Sequence, residues 1–370
     1  MSWIRPTAVF DGNHLSTDTL VRIEDDRVVE TKSASDQEPG DRVDSQDVIL
    51  APGLFDTQVN GGGGVMLNSQ PTRAGVVAIA LAHRAAGTSF ILPTVITDAP
   101  EITEKAALAV LDERGRNGVL GIHIEGPHIS HAHRGTHDTR YIRPLDDLTF
   151  DLISTLRGHD LPVLLTLAPE TTEPGQIETL SKMGVVVSVG HSAATGQQTA
   201  AALREGARSF THLFNGMPQM TSRNPGLVGA AIDSDVWCGF IADGHHVDFQ
   251  MLRLAIRARG APDRMVLVSD AMSTVGGPDH FEIYGETIRV EGGRLVNAAG
   301  SLAGAHIDLA TSLSNLVVRV GTPLADAIRM ATTNPREMMR LPQQILTGTK
   351  TEDLAWLPGS LARCHETTEA

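Results

Sequence analysis

Val185-Val186-Val187-Ser188-Val189-Gly190-His191 is an apolar run long enough for one β-strand, and it ends on an imidazole. Three other stretches repeat the design. Glu125 closes Val119-Leu120-Gly121-Ile122-His123-Ile124, His212 follows Ser209-Phe210-Thr211, and Asp270 closes Met265-Val266-Leu267-Val268-Ser269. Short continuous apolar runs fit strands buried on both faces of a parallel sheet. The C-terminal ends of such strands are where barrel enzymes keep their reacting groups.

Working outward from these runs, others begin near Leu54, Phe90, Val163 and Gly239, making eight strand candidates in all. Amphipathic segments at about 74–86, 101–114, 177–183, 196–205 and 249–259 separate them. Eight alternations of strand and helix predict a TIM-like (β/α)8 barrel. A doubly wound open sheet is the second choice, but Gly61-Gly62-Gly63-Gly64 does not fit its Gly-x-Gly-x-x-Gly fingerprint. Residues 1–50 alternate β-like pieces with polar turns and predict a small antiparallel sheet. Past the barrel, apolar helices are expected at 307–320 and 324–332, with Asn334 as a cap ahead of Pro335. Leu354-Ala355-Trp356-Leu357 reads as a strand able to return to the N-terminal sheet. The expected division is 1–50 and 339–370 for the small β unit and 51–338 for the barrel.

Composition limits the function. A formal charge of −14 argues against nucleic acid or an anionic membrane as a partner. Two cysteines, Cys238 and Cys364, exclude a disulfide framework and fit a reducing compartment. No apolar run approaches the ~20 residues of a membrane span, so a cytoplasmic protein is expected.

Glu125, His191 and His212 form a two-imidazole, one-carboxylate set of the kind that holds a catalytic divalent metal with a coordination position open. Taken singly, each also reads as an ordinary polar residue at a strand end. Asp270 reads either as a general base for an activated water or as a helix N-cap before Ala271-Met272. The run containing His123, His128, His131 and His133 fits a solvated loop, while His137 is set apart as a group able to polarise a carbonyl. Gln58 and Asn60 stand where metal-dependent barrel hydrolases usually carry His-x-His. Carboxamides are poor zinc ligands, so these two are expected to hold water or substrate. None of the four lysines closes a strand to bridge a second metal, so one metal is expected. Arg223 and the pair His245-His246 are candidate anion contacts or plain loop residues. Asn215 is a candidate donor to a substrate hydroxyl or phosphate.

Taken together, the motifs resemble the N-acetylglucosamine-6-phosphate deacetylases of the amidohydrolase superfamily. They include Pro52-Gly53-Leu54-Phe55-Asp56-Thr57-Gln58-Val59-Asn60-Gly61, Gly121-Ile122-His123-Ile124-Glu125-Gly126-Pro127, Leu167-Ala168-Pro169-Glu170 and Gly190-His191-Ser192. Thr211-His212-Leu213-Phe214-Asn215-Gly216-Met217-Pro218, Asn224-Pro225-Gly226, Ala242-Asp243-Gly244-His245-His246-Val247-Asp248 and Val268-Ser269-Asp270-Ala271 follow in order. The resemblance implies a β-sandwich built from both chain ends beside the barrel. It implies hydrolysis of the acetamide of N-acetylglucosamine 6-phosphate, with N-acetylgalactosamine 6-phosphate or another N-acyl compound as the alternative substrate. By position, Glu125, His191 and His212 hold the metal, Asp270 is the acid/base and His137 contacts the acetyl carbonyl. Asn215 and Gly216 fall at the substrate. Arg223 and His246 are expected at the phosphate, donated across a homodimer interface. The Gln-x-Asn pair places the chain with one-zinc members. Departures are the short tail before the last strand and Ala305-His306, where many members have a Gly-Ser segment near the sugar.

Overall fold

In the computed structural model, residues 2–298, 300 and 302–366 are described. Eight parallel strands follow one another in chain order: Phe55–Val59, Phe90–Ile96, Ile122–Glu125, Val163–Leu167, Val186–Val189, Ser209–Phe210, Trp237–Ile241 and Met265–Val268. The eighth returns to the first, because Asp270 N–H donates to the Gln58 carbonyl at 3.0 Å and Val59 bridges Ala271. The predicted barrel is therefore present. All eight expected runs are its strands.

Side-chain alternation sorts the residues of each strand. Ile122 and Ile124, Val163 and Leu165, Val187 and Val189, and Met265 and Leu267 all join the large core shared with the surrounding helices. Their neighbours in sequence fill the barrel interior in layers. The lower layer is apolar, with Phe55, Leu92, Leu164, Val186, Trp237 and Val266 in one cluster. Above it lies a polar layer. His123 Nε2 pairs with Thr166 Oγ1 at 2.8 Å, Thr166 Oγ1 with Thr211 Oγ1 at 2.7 Å, and Thr211 with Ser188 at 2.6 Å. Glu125, two residues beyond His123, stands one layer higher, at the mouth.

The expected helices appear as Arg73–Ala85, Pro100–Glu113, Gln176–Lys182, Gly196–Arg204 and Phe249–Ala258, joined by Asp147–Gly158 and Gly226–Asp233. The helix expected at 307–320 starts at Leu309, where the Asp308 carboxylate accepts from Thr311 N–H, and its second half, Leu316–Val320, is π-helical. Asn334 is not a cap. It lies inside Thr333–Met338 and its amide donates to the carbonyls of Asp263 and Met265, tying that helix to the eighth strand.

Both ends of the chain meet in one six-stranded sheet, where Leu354–Pro358 pairs antiparallel with Arg42–Pro52. The sheet is mixed, not purely antiparallel as the sequence suggested, because Ser2–Phe10 runs parallel to Arg42–Pro52. A second departure is a three-stranded antiparallel sheet, His280–Ile283, Glu286–Glu291 and Arg294–Val296. Its apolar face, with Phe281, Ile288 and Leu295, packs on Ile96 and Met272 at the barrel mouth. Among the described residues no helix is long and apolar enough to cross a membrane.

Candidate active site

Glu125, His191 and His212 converge at the C-terminal mouth. Their ligand atoms lie within 4.8 Å of one another, and all three side chains are buried. Glu125 Oε1 is 3.3 Å from His191 Nε2 and 3.1 Å from His212 Nε2, and the two Nε2 atoms are 2.9 Å apart. His191 Nδ1–H donates to the His133 carbonyl at 2.8 Å, which fixes the ring with Nε2 turned toward the cluster. Two imidazole nitrogens that close cannot both direct protons at each other. A cation between them and the carboxylate satisfies all three, so the donor set fits a divalent metal. Burial alone would lower the His212 pKa, but the hydrogen bond and charge of Glu125 outweigh it and raise it. Burial alone would raise Glu125, but the two histidines hold it well below the usual carboxylate range.

Local backbone serves this convergence. His191, His212 and Asp270 have φ of 46°, 30° and 54°, left-handed values that side-chain-bearing residues seldom adopt and that concentrate at functional sites. A Cβ at Gly190 would lie 2.8 Å from Thr211 Cβ and 2.9 Å from Thr166 Cγ2, so only glycine lets the strand pass there. Ser192 Oγ donates to Glu170 Oε2 at 2.7 Å. That bond joins the Leu-Ala-Pro-Glu motif to the loop that carries His191.

Asp270 is not a helix cap. Its carboxyl accepts from Asn60 Nδ2 at 2.7 Å and Gln58 Nε2 at 3.1 Å, and the same Gln58 nitrogen donates to Glu125 Oε1 at 2.9 Å. Gln58 thus bridges the two acids at a fixed spacing, and Asn60, which also lines the pocket, holds Asp270 alone. Burial, then the charge of Glu125, pushes the Asp270 carboxyl up to about 6.

His137 lines the same pocket. Its Nδ1 faces the Thr97 hydroxyl at 2.7 Å and accepts from the Thr97 N–H at 3.4 Å, which leaves the ring proton on Nε2. Burial, then His191, lowers its pKa to about 3, so the ring is neutral. The histidine-rich run is not all solvated loop: His123 and His128 are fully buried, and burial lowers each to about 4.

Asn215, Gly216 and His246 also line the pocket. A Cβ on Gly216 would sit 3.0 Å from His191 Nδ1 and 3.2 Å from the His133 carbonyl, across the bond between them. His246, expected at the phosphate of a neighbouring subunit, stands in the pocket lining of its own chain. The loop after the seventh strand folds over its own barrel, and Asp243 Oδ2 fixes His246 Nδ1 at 2.7 Å. Arg223 lies apart, exposed, outside its own chain's pocket lining. His306 bonds to Thr274 Oγ1 at 2.8 Å, while Gly304 and Leu302 reach the pocket instead. Sequence reasoning missed Thr97, Ile96, Met272 and Leu302. It also missed His133, which acts through its carbonyl and so leaves no side-chain signal.

The amidohydrolase family model matches residues 49–345. The chain is 42% identical over 315 residues to the N-acetylgalactosamine-6-phosphate deacetylase of Shewanella sp. (strain ANA-3), covering 83% of this chain and 79% of that one. It is 36% identical over 300 residues to the N-acetylglucosamine-6-phosphate deacetylase of Haemophilus influenzae, covering 79% and 77%. Among solved structures, a Mycobacterium smegmatis N-acetyl-D-glucosamine-6-phosphate deacetylase variant in complex with N-acetyl-D-glucosamine-6-phosphate superposes with a TM-score of 0.87 at 29% identity, covering 97% and 96%. Barrel, ligand cluster and sequence similarity agree: the chain belongs to the amidohydrolase family.

Proposed function

We propose that this chain is a metal-dependent deacetylase that hydrolyses the acetamide of N-acetylglucosamine 6-phosphate to glucosamine 6-phosphate and acetate, in cytoplasmic amino-sugar catabolism. The observation that carries the reading is the meeting of Glu125, His191 and His212 at one point beside Asp270. One divalent cation, zinc, suits two imidazoles and a carboxylate, although iron, cobalt and manganese use the same donors. When bound, it supplies Lewis-acid polarisation and makes a water acidic near neutral pH.

The chain's own groups supply the rest. His137 donates its Nε2–H to the acetamide oxygen and stabilises the charge that develops there. Asp270, ionised and aligned by Asn60 and Gln58, takes a proton from the attacking water as its oxygen bonds to the carbonyl carbon. It then returns that proton to the nitrogen as the C–N bond breaks, and acetate and the amine depart. Asn215 and His246 hold the sugar. Among the described residues, the pocket lining of one chain contains no arginine or lysine. A phosphate therefore draws on Arg223 of a second copy, in a homodimer.

A second reading, the galacto epimer, is favoured by the Shewanella relative. An acetate-release assay with N-acetylglucosamine 6-phosphate, N-acetylgalactosamine 6-phosphate and the unphosphorylated sugars separates these cases. The larger kcat/KM identifies the epimer. Equal rates on unphosphorylated sugars would remove the phosphate role of Arg223, and absence of acetate from every sugar would remove the deacetylase reading.

A further inference from the structure

One buried carboxyl at the seam of the barrel has no part in the mechanism above. Asp56, on the first strand, is fully buried. Its two oxygens both lie 3.2 Å from the Ser269 backbone nitrogen and accept its N–H, and Oδ1 also accepts the Gln58 N–H at 3.1 Å. These donors sit where ordinary strand pairing lapses. On one side, the register between the first and second strands jumps between Asp56 and Val59. On the other, Ser269 lies just past the end of Met265–Val268, and Asp270 turns to a φ of 54°. Above this point the seam is held by backbone pairing, Asp270 N–H to the Gln58 carbonyl and Val59 to Ala271, and the Asp56 carboxyl is the side-chain tie at its base, where Gln58 and Asp270 must meet within hydrogen-bond distance.

We infer that Asp56 is a positioning residue for Asp270: its carboxyl clamps the backbones of residues 58 and 269 together, and so sets the bearing of the Asp270 carboxyl against Gln58 and the metal-binding cluster. Asp56 touches no reacting atom. Its effect passes through the two segments that it ties. This inference rests on Asp270 being the acid/base.

The test compares Asp56→Ala and Asp56→Asn, with rates expressed per folded, metal-loaded site. A small misplacement of a reacting group costs up to about 100-fold, so Asp56→Ala should lower kcat about 30- to 100-fold, with KM within about threefold and metal content unchanged. The amide oxygen of Asp56→Asn still faces both N–H groups and should restore kcat to within about fivefold of wild type. If the alanine protein does not fold, Asp56→Ser takes its place and must show the same split. Wild-type kcat per metal-loaded site in the alanine or serine variant overturns the clamp, as does an asparagine variant equally impaired. Asp270→Asn separates the two readings. Near-normal turnover in that variant ends the acid/base role and the clamp with it, whereas a dead Asp270→Asn beside a normal Asp56→Ala ends only the clamp.

Discussion

Asp270 is sealed from most solvent and has a raised pKa, yet a proton acceptor must be ionised to act. The sign of the pH dependence follows. With its carboxyl pushed up to about 6 by burial and by Glu125, the base form is lost as pH falls through that value. Below it, kcat/KM should drop about tenfold per pH unit. A cation at the neighbouring cluster lowers this pKa, so the acid limb of the loaded enzyme belongs at or below that point; a limb well above it would contradict the assignment. Asp270→Asn should abolish acetate release and keep the metal. His137→Ala should lower kcat by about 100- to 1,000-fold, again with metal content intact, because it removes one donor to the developing oxyanion; loss of metal together with rate would make His137 a ligand. At this scale the sequence singled out side chains that the barrel brings to one pocket, Glu125, His191, His212, Asp270 and His137. It was opaque where a backbone atom makes the contact, as with the His133 carbonyl, or where a long-range contact adds a task, as when Gln58 and Asn60 bond to carboxylates.

The strands were legible because a parallel strand is buried on both faces and so reads as an unbroken apolar run. What the run conceals is the layering inside the barrel. Thr166 and Ser188 interrupt apolar runs as isolated hydroxyls, and only the closed ring brings them to Thr211 and His123. This layer supports the floor of the site. Thr166→Val should destabilise the protein by about 1–3 kcal/mol in urea unfolding, because it leaves His123 and Thr211 short of a buried partner. An unchanged unfolding midpoint would mean that the layer is not under hydrogen-bond constraint. The sheet from His280 to Val296 shows the opposite case. Its alternation, Thr287 and Arg289 against Ile288 and Val290, with Tyr284-Gly285 and Gly292-Gly293 at the turns, is a hairpin signal that was there to read. The barrel rhythm around it drew the reading straight to the next helix.

Across the whole molecule, the two ends of the chain are joined in one sheet, and the last strand covers Leu50 and Ala51. Leu354 and Leu357 are both buried. Deleting residues from 354 onward removes roughly 3–6 kcal/mol of burial from those two side chains and bares the edge of Arg42–Pro52. The truncated protein should show a lower unfolding midpoint and a tendency to aggregate, and a full-length midpoint would show that the strand is dispensable. The same scale governs the central claim, since Glu125 ends one strand, His191 and His212 follow the ends of two others, and they meet only in the closed barrel. The most direct test is to strip the protein with a chelator and add zinc back stepwise, following acetate release from both N-acetylhexosamine 6-phosphates. Activity should return linearly and level off at one equivalent per subunit, and His191→Ala should fail to recover at that ratio. Full activity in the stripped protein, or a plateau reached only at two equivalents, would contradict a single-metal deacetylase built on these three residues.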